Sequence, residues 1–314
     1  MAEAKKGVLA MVIACIIWGL SPLYYKLIDH IDPLEVLSHR TLWSFVFFGT
    51  VLLFQRRFGE VFTLLGNWRD LLVVLFAALM ISANWFLFIY SIQLERTVET
   101  SLGYYIFPLV AVVLGRVVFG ERLSVVKWGA VVLATVAVVI LTIGLGSPPW
   151  ISLALAITFG LYGVIKKQTR AGSVVSVSGE VLLLAPVALI WLWGVHTQNW
   201  PGLVQAEGGV FTNNWRDSII LIFSGPVTAT PLILFSYASK RIALASVGLI
   251  QYLNPTLQFF CAVVIFGEVF TPVHALAFPL IWLALAIYSF DAFRQERASS
   301  RALVNVATSS TEVT

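Results

Sequence analysis

Three amide side chains recur at helical spacing near the end of the chain. Gln251, Asn254 and Gln258 stand at i, i+3 and i+7 in an otherwise apolar run, within about 60° of arc on one helical face. Amides in an apolar span either line a cavity, where they hydrogen-bond a polar ligand, or hold a neighbouring helix. Tyr252 and Pro255 accompany them, and the same pair occurs earlier as Tyr105 and Pro108, at an offset of 147 residues. A proline inside a helix frees a backbone carbonyl, which broken membrane helices use at binding sites. A plain packing kink is the alternative reading for Pro108 and Pro255.

A second group of residues is ionisable. Glu180 lies about five residues into its apolar run, hence roughly 8 Å along a helix, and Lys166 and Lys167 close the preceding run. A buried ion pair is the plain account of that grouping. Lys26, Glu35, His39 and Arg40 form a mirrored cluster in the first half. His39 and Glu180 fall at equivalent places in the two halves, so they are candidates for proton coupling, because imidazole titrates near neutral pH. Arg40, Lys166 and Lys167 are the accompanying gating candidates. Metal chemistry has no such support: the four histidines are scattered, and the two cysteines, Cys15 and Cys261, lie singly in apolar runs. No phosphate-binding glycine loop and no H-E-x-x-H occurs either. Neither a cofactor nor a resident metal is expected, and an enzyme is disfavoured because no nucleophile–base pair appears.

The elements that must carry these residues follow from composition. The chain has 314 residues, 59% hydrophobic and only 11% charged, against about 25% charged in soluble domains. Apolar runs of spanning length, about 20 residues, fall at 7–28, 34–54, 71–92, 98–119, 124–144, 150–168, 175–195, 218–238, 243–266 and 271–290. An all-α polytopic membrane protein with ten transmembrane helices is predicted. Val12-Ile13-Ala14-Cys15 resembles a lipoprotein processing box, but apolar sequence continues through it, so a first membrane helix is favoured over a cleaved signal.

Asn67-Trp68-Arg69-Asp70 recurs as Asn214-Trp215-Arg216-Asp217, and Phe119-Gly120-Glu121 as Phe266-Gly267-Glu268, both at the offset of 147. Earlier in each half the offset is 141, where Trp18-Gly19 answers to Phe159-Gly160 and Lys26 to Lys167. Shared offsets mark an internal duplication. The expected organisation is a short N-terminus at 1–6, a first repeat of five helices at 7–144, a Gly/Pro linker at 145–149, a second five-helix repeat at 150–291, and a Ser/Thr-rich disordered tail at 292–314. The N-W-R-D tetrapeptide reads as a helix-end feature, with Trp at the interface and Asp at the positive helix end. Ser152, Ala156 and Gly160 form a small-residue ladder that reads as a packing seam.

Counting basic residues sets the orientation. With the N-terminus inside, sixteen Lys and Arg residues fall on the cytoplasmic side and four on the other, so both termini are expected in the cytoplasm. The net charge of +4 is thereby a topology signal and calls for no nucleic-acid partner. An odd number of helices per repeat makes the repeats inverted. Inverted repeats that rock about a central site are the architecture of secondary transporters.

Trp18-Gly19, Ser101 to Pro108 and Gly120-Glu121, together with His39-Arg40, Trp43-Ser44, Asn84-Trp85 and Gln251-Tyr252, resemble the EamA branch of the drug/metabolite transporter superfamily over about residues 7–291. The resemblance implies a bacterial inner (plasma) membrane permease, an exporter of small metabolites such as amino acids or amphipathic aromatic compounds. It brings Lys26 and Asn84 beside Tyr105, Gln251, Tyr252 and Asn254 as cavity contacts. An efflux permease for amphenicol-type drugs is the rival within transport, and a non-transporting sensor or scaffold is the rival outside it. The implied partners are a small-molecule substrate, the lipid bilayer and protons as a coupling ion; no pattern sets the oligomeric state.

Overall fold

The computed structural model describes residues 2–311 except 121–122, 167, 170, 204–208, 240 and 243; the side chains of 2, 244, 245, 292 and 295–311 are likewise outside the description. All regular elements among the described residues are helical. They are α1 (Ala2–Lys26), α2 (Pro33–Phe54), α3 (Phe58–Gly66), α4 (Trp68–Gln93), α5 (Thr97–Phe119), α6 (Val125–Leu145), α7 (Trp150–Lys166), α8 (Ser173–Gln198), α9 (Trp215–Ser239), α10 (Leu244–Gln251), α11 (Leu253–Phe260), a π-helical turn (Cys261–Ile265) and α12 (Pro272–Thr311). Nine spans among the described residues are long and apolar enough to cross a bilayer, and α7, with 17 residues, is apolar but shorter. At 1.5 Å per residue it reaches about 25 Å, just under a hydrocarbon core of about 30 Å.

Helix ends follow from local chemistry. Asp32 caps α2 by accepting from Leu34 N at 2.9 Å, with Pro33 in the first turn, where a missing N–H costs nothing. The repeated tetrapeptide is a capping device: Asn67 accepts from Arg69 N at 3.0 Å and Asn214 from Arg216 N at 3.0 Å, each starting a helix. Gly120 and Gly267, the glycines of the repeated F-G-E, take left-handed backbone with φ of 67° and 70°, which ends a helix without the penalty a side chain brings. Glu268 then reaches back to the start of α5 and accepts from Thr97 N at 2.7 Å and Val98 N at 2.8 Å.

Three elements differ from the sequence expectation. The ninth run is broken at Tyr252 into α10 and α11, followed by the π turn. Pro255 is the cause: its ring has no N–H and crowds the carbonyl four residues earlier, and α10 stops at that residue, Gln251. Pro108 sits in an unbroken α5. The short α3 is the second difference, an amphipathic helix whose Val61 and Leu64 pack with Leu52, Val74 and Val175. α12 runs on through the polar segment for which disorder is expected; it meets no Gly or Pro after Pro279 to stop it.

The helices pack in reciprocal pairs: α1 on α9 and α4 on α7, α2 on α8, α6 on α12, with α5 on α7 and α11 on α1. The small-residue ladder of α7 faces α5. A Cβ on Gly103 would lie 2.8 Å from the Ser152 carbonyl oxygen, so the two backbones approach as only glycine permits, and Ser152 donates to the Glu99 carbonyl at 2.7 Å.

Candidate functional site

A cavity of about 860 Å³ lies among α1, α2, α4, α5 and α7–α12. Its lining reaches Lys166 at the end of α7, Ser173 at the start of α8 and Ser236 near the end of α9. Toward the opposite end of the bundle it stops at Tyr25, Arg40 and Phe88. Beyond them the bundle is shut by contacts between the two halves of the chain. Glu35, fully buried, accepts from Gly209 N at 2.8 Å and Val210 N at 3.0 Å, and Asp32 accepts from Leu203 N at 2.6 Å. His30 meets Asp217 at 3.0 Å at the same end.

Arg40 projects from α2 into the cavity wall and is only 7% exposed. Its guanidinium carbon lies 4.2 Å from the Trp85 ring centroid and 5.5 Å from that of Tyr25. Its Nε has no hydrogen-bond partner, and among the described residues no carboxylate oxygen lies within 4.0 Å of it. Stacking on aromatic faces contributes about 0.5–2 kcal/mol, short of the about 2.5–3.5 kcal/mol that a central charge costs on insertion scales.

Lys166, the other cation in the wall, is neutralised in place. It meets Glu180 at 2.6 Å and also bonds Ser176, while Tyr162 and Ser176 donate to the same carboxylate at 3.2 Å each. Glu180 is 1% exposed and lies behind the lining. Lys167, the alternative partner from sequence, lies outside the described residues.

The amide stripe lines the cavity as Gln251, Asn254 and Gln258, with Tyr252 and Pro255 between them and Pro108 opposite on α5. Gln258 donates to Asn254 Oδ1 at 2.9 Å, leaving its own buried Oε1 without a partner. Asn84 is in the wall too, yet its polar atoms are engaged: Nδ2 donates to the Leu155 carbonyl at 3.0 Å and Thr158 at 3.1 Å, and Oδ1 accepts from Tyr104 at 3.0 Å. It ties α4 to α5 and α7. An aromatic wall completes the surface, with Phe159 at 4.8 Å from Phe107 and 6.0 Å from both Tyr104 and Tyr162 between ring centroids.

The remaining candidates stand elsewhere. Tyr105 packs in the α5–α12 core against Phe278 and Trp282 and bonds Thr256 at 2.8 Å. Lys26 is outside the lining, paired with Asp29 at 3.0 Å and Glu95 at 3.3 Å. His39 turns away from the cavity, 4.5 Å from the Phe211 ring, with Nε2 unbonded and 4.0 Å from Glu35. His196 comes from α8 to within 3.7 Å of the same carboxylate, so ligand-type atoms of Glu35, His39 and His196 lie within 4.8 Å of one another. Glu35 and His39 stand four residues apart on α2, but His196 joins them from a distant stretch, and no spacing in the sequence announces it.

A multi-pass helical bundle with a cavity of solute size, about 300–1,000 Å³, is an architecture that fits a membrane transporter. The EamA-like transporter family matches residues 5–143. Protein RarD of Streptomyces exfoliatus is 40% identical over 95% of this chain and 92% of its own, and Protein RarD of Escherichia coli (strain K12) is 35% identical over 95% and 99%. A solved crystal structure aligns with 90% of this chain and 96% of its own at a TM-score of 0.59 and 17% identity, a likeness of fold alone. The chain belongs to the EamA family of transporters, with the RarD proteins as full-length relatives.

Proposed function

We propose that the chain is a secondary-active permease that exports small metabolites, amino acids or amphipathic aromatic compounds, across the bacterial inner membrane by alternating access. Ten spans carry it: α1, α2, α4 to α9, the broken span from α10 through the π turn, and α12. They form two inverted repeats at 7–144 and 150–291 with both termini cytoplasmic. The reciprocal packing of α1 on α9 and α4 on α7 supports the repeat, since those helices exchange under it. The observation that carries the reading is the cavity that reaches one end of the bundle and is shut at the other by contacts joining the halves. By the charge distribution the reached end is cytoplasmic, so this is the inward-facing state, and when the outer side opens Asp32 releases Leu203 and Glu35 releases Gly209 and Val210.

Proteoliposomes loaded with a pool of amino acids, aromatic metabolites and amphenicols test this. Selective release of one class against protein-free vesicles is expected. Release of nothing from folded protein, with and without a proton gradient, favours a non-transporting membrane protein instead. The aromatic wall of Phe107, Tyr104, Phe159 and Tyr162 favours a second reading, efflux of amphenicol-type drugs. Resistance on overexpression, abolished by Tyr252→Ala, would select it.

A further inference from the structure

The cavity carries one uncompensated charge. No Asp or Glu occurs among its described lining residues, and of the two cations there Lys166 is held by Glu180 at 2.6 Å. Arg40 is left, more than nine-tenths buried, with an unbonded Nε and its guanidinium against the faces of Trp85 and Tyr25. A guanidinium in apolar surroundings attracts a counter-charge strongly, and its planar fork matches a carboxylate in particular. The nearest acid on the same helix does not serve: the Glu35 carboxylate is held by backbone N–H groups of 209 and 210.

We propose that the transported solute is an organic monoanion whose carboxylate binds Arg40, with its apolar body along Trp85 and the aromatic wall. This rests on the permease reading above. The solute then supplies the charge the cavity lacks, and the loaded cavity is neutral. A neutral cavity crosses between the two facing states without moving a bare charge through hydrocarbon. The charge-bearing end enters deepest, because Arg40 marks the closed end of the cavity.

Three near-isosteric probes separate the possibilities: indole-3-acetate, its neutral amide indole-3-acetamide, and the cation tryptamine. Protein in phosphatidylcholine nanodiscs is expected to bind tritiated indole-3-acetate about tenfold or more tightly than the other two, the size of a charge-assisted hydrogen-bond preference. Arg40→Gln abolishes that preference, and Arg40→Lys retains part of it. Equal binding of acid and amide by the unmodified protein overturns the proposal without relying on any variant. The acid's binding being lost in nanodiscs containing phosphatidylglycerol also overturns it, by assigning Arg40 to a lipid headgroup. Flux of the same probes from proteoliposomes is read separately. Acid binding without flux contradicts the permease and leaves the anion site, whereas flux of amide and amine at the rate of the acid keeps the permease and removes the anion site.

Discussion

Glu268 and Thr97, 171 residues apart, meet at 2.7 Å, the carboxylate accepting the first backbone N–H of α5 and that of Val98 beside it at 2.8 Å. Arg96, which precedes the helix, makes no side-chain cap of its own. The helix is thus started by a residue from the other half of the chain.

Glu268→Ala should therefore destabilise the fold by about 2 kcal/mol, the upper range for losing a cap. Glu268→Gln should cost less, since an amide oxygen still accepts one bond. Thermal unfolding in detergent, followed by helix ellipticity, ranks wild type above Glu268→Gln and that above Glu268→Ala.

Lys166 and Glu180 behave as a buried pair. Removing the cation alone in Lys166→Met leaves a carboxylate of 1% exposure without its charge partner, at a cost of about 3–5 kcal/mol. Lys166→Met with Glu180→Leu removes both charges and should recover most of the loss. Melting temperatures of the two single variants and the double variant form the cycle that checks it.

His39 is packed with Glu35 on its own helix and with His196 from α8, all within 4.8 Å. With the coupling proton on this group, His39→Gln flattens the pH dependence of flux while the protein still binds solute. A pH profile identical to wild type between pH 5 and 8 (about the range of imidazole titration) removes His39 from the coupling path.

Much of this architecture is legible in the chain, and the losses have physical causes. Nine of the apolar runs coincide with described helical segments long enough to span, and the run at 150–168 with the shorter α7, because an apolar stretch of about 20 residues has few alternatives in a bilayer. The nine-residue α3 falls below any spanning length, and its only signal is the amphipathic placing of Val61 and Leu64. The break at Tyr252 was implicit in Pro255, yet Pro108 shows that a proline alone does not decide it, since α5 continues. Asn84, Gln251, Tyr252 and Asn254 line the cavity as polar residues in apolar spans are expected to, whereas Tyr105 and Lys26 do not. Arg40 was visible as a charge but not as an unpaired one. Its isolation depends on backbone amides at 209 and 210 taking up Glu35, a contact across 174 and 175 positions that no local pattern carries.

The shut end of the bundle holds the central claim. Cysteines placed at Asp32 and Leu203, whose native contact is 2.6 Å from carboxylate to backbone N–H, would tether α2 to the loop of the other half when oxidised. The two native cysteines are buried and do not compete. Flux through this variant in proteoliposomes should be measurable under reducing conditions, fall to the protein-free rate once the tether is complete, and return with dithiothreitol. Undiminished flux through fully tethered protein would contradict alternating access between the two halves.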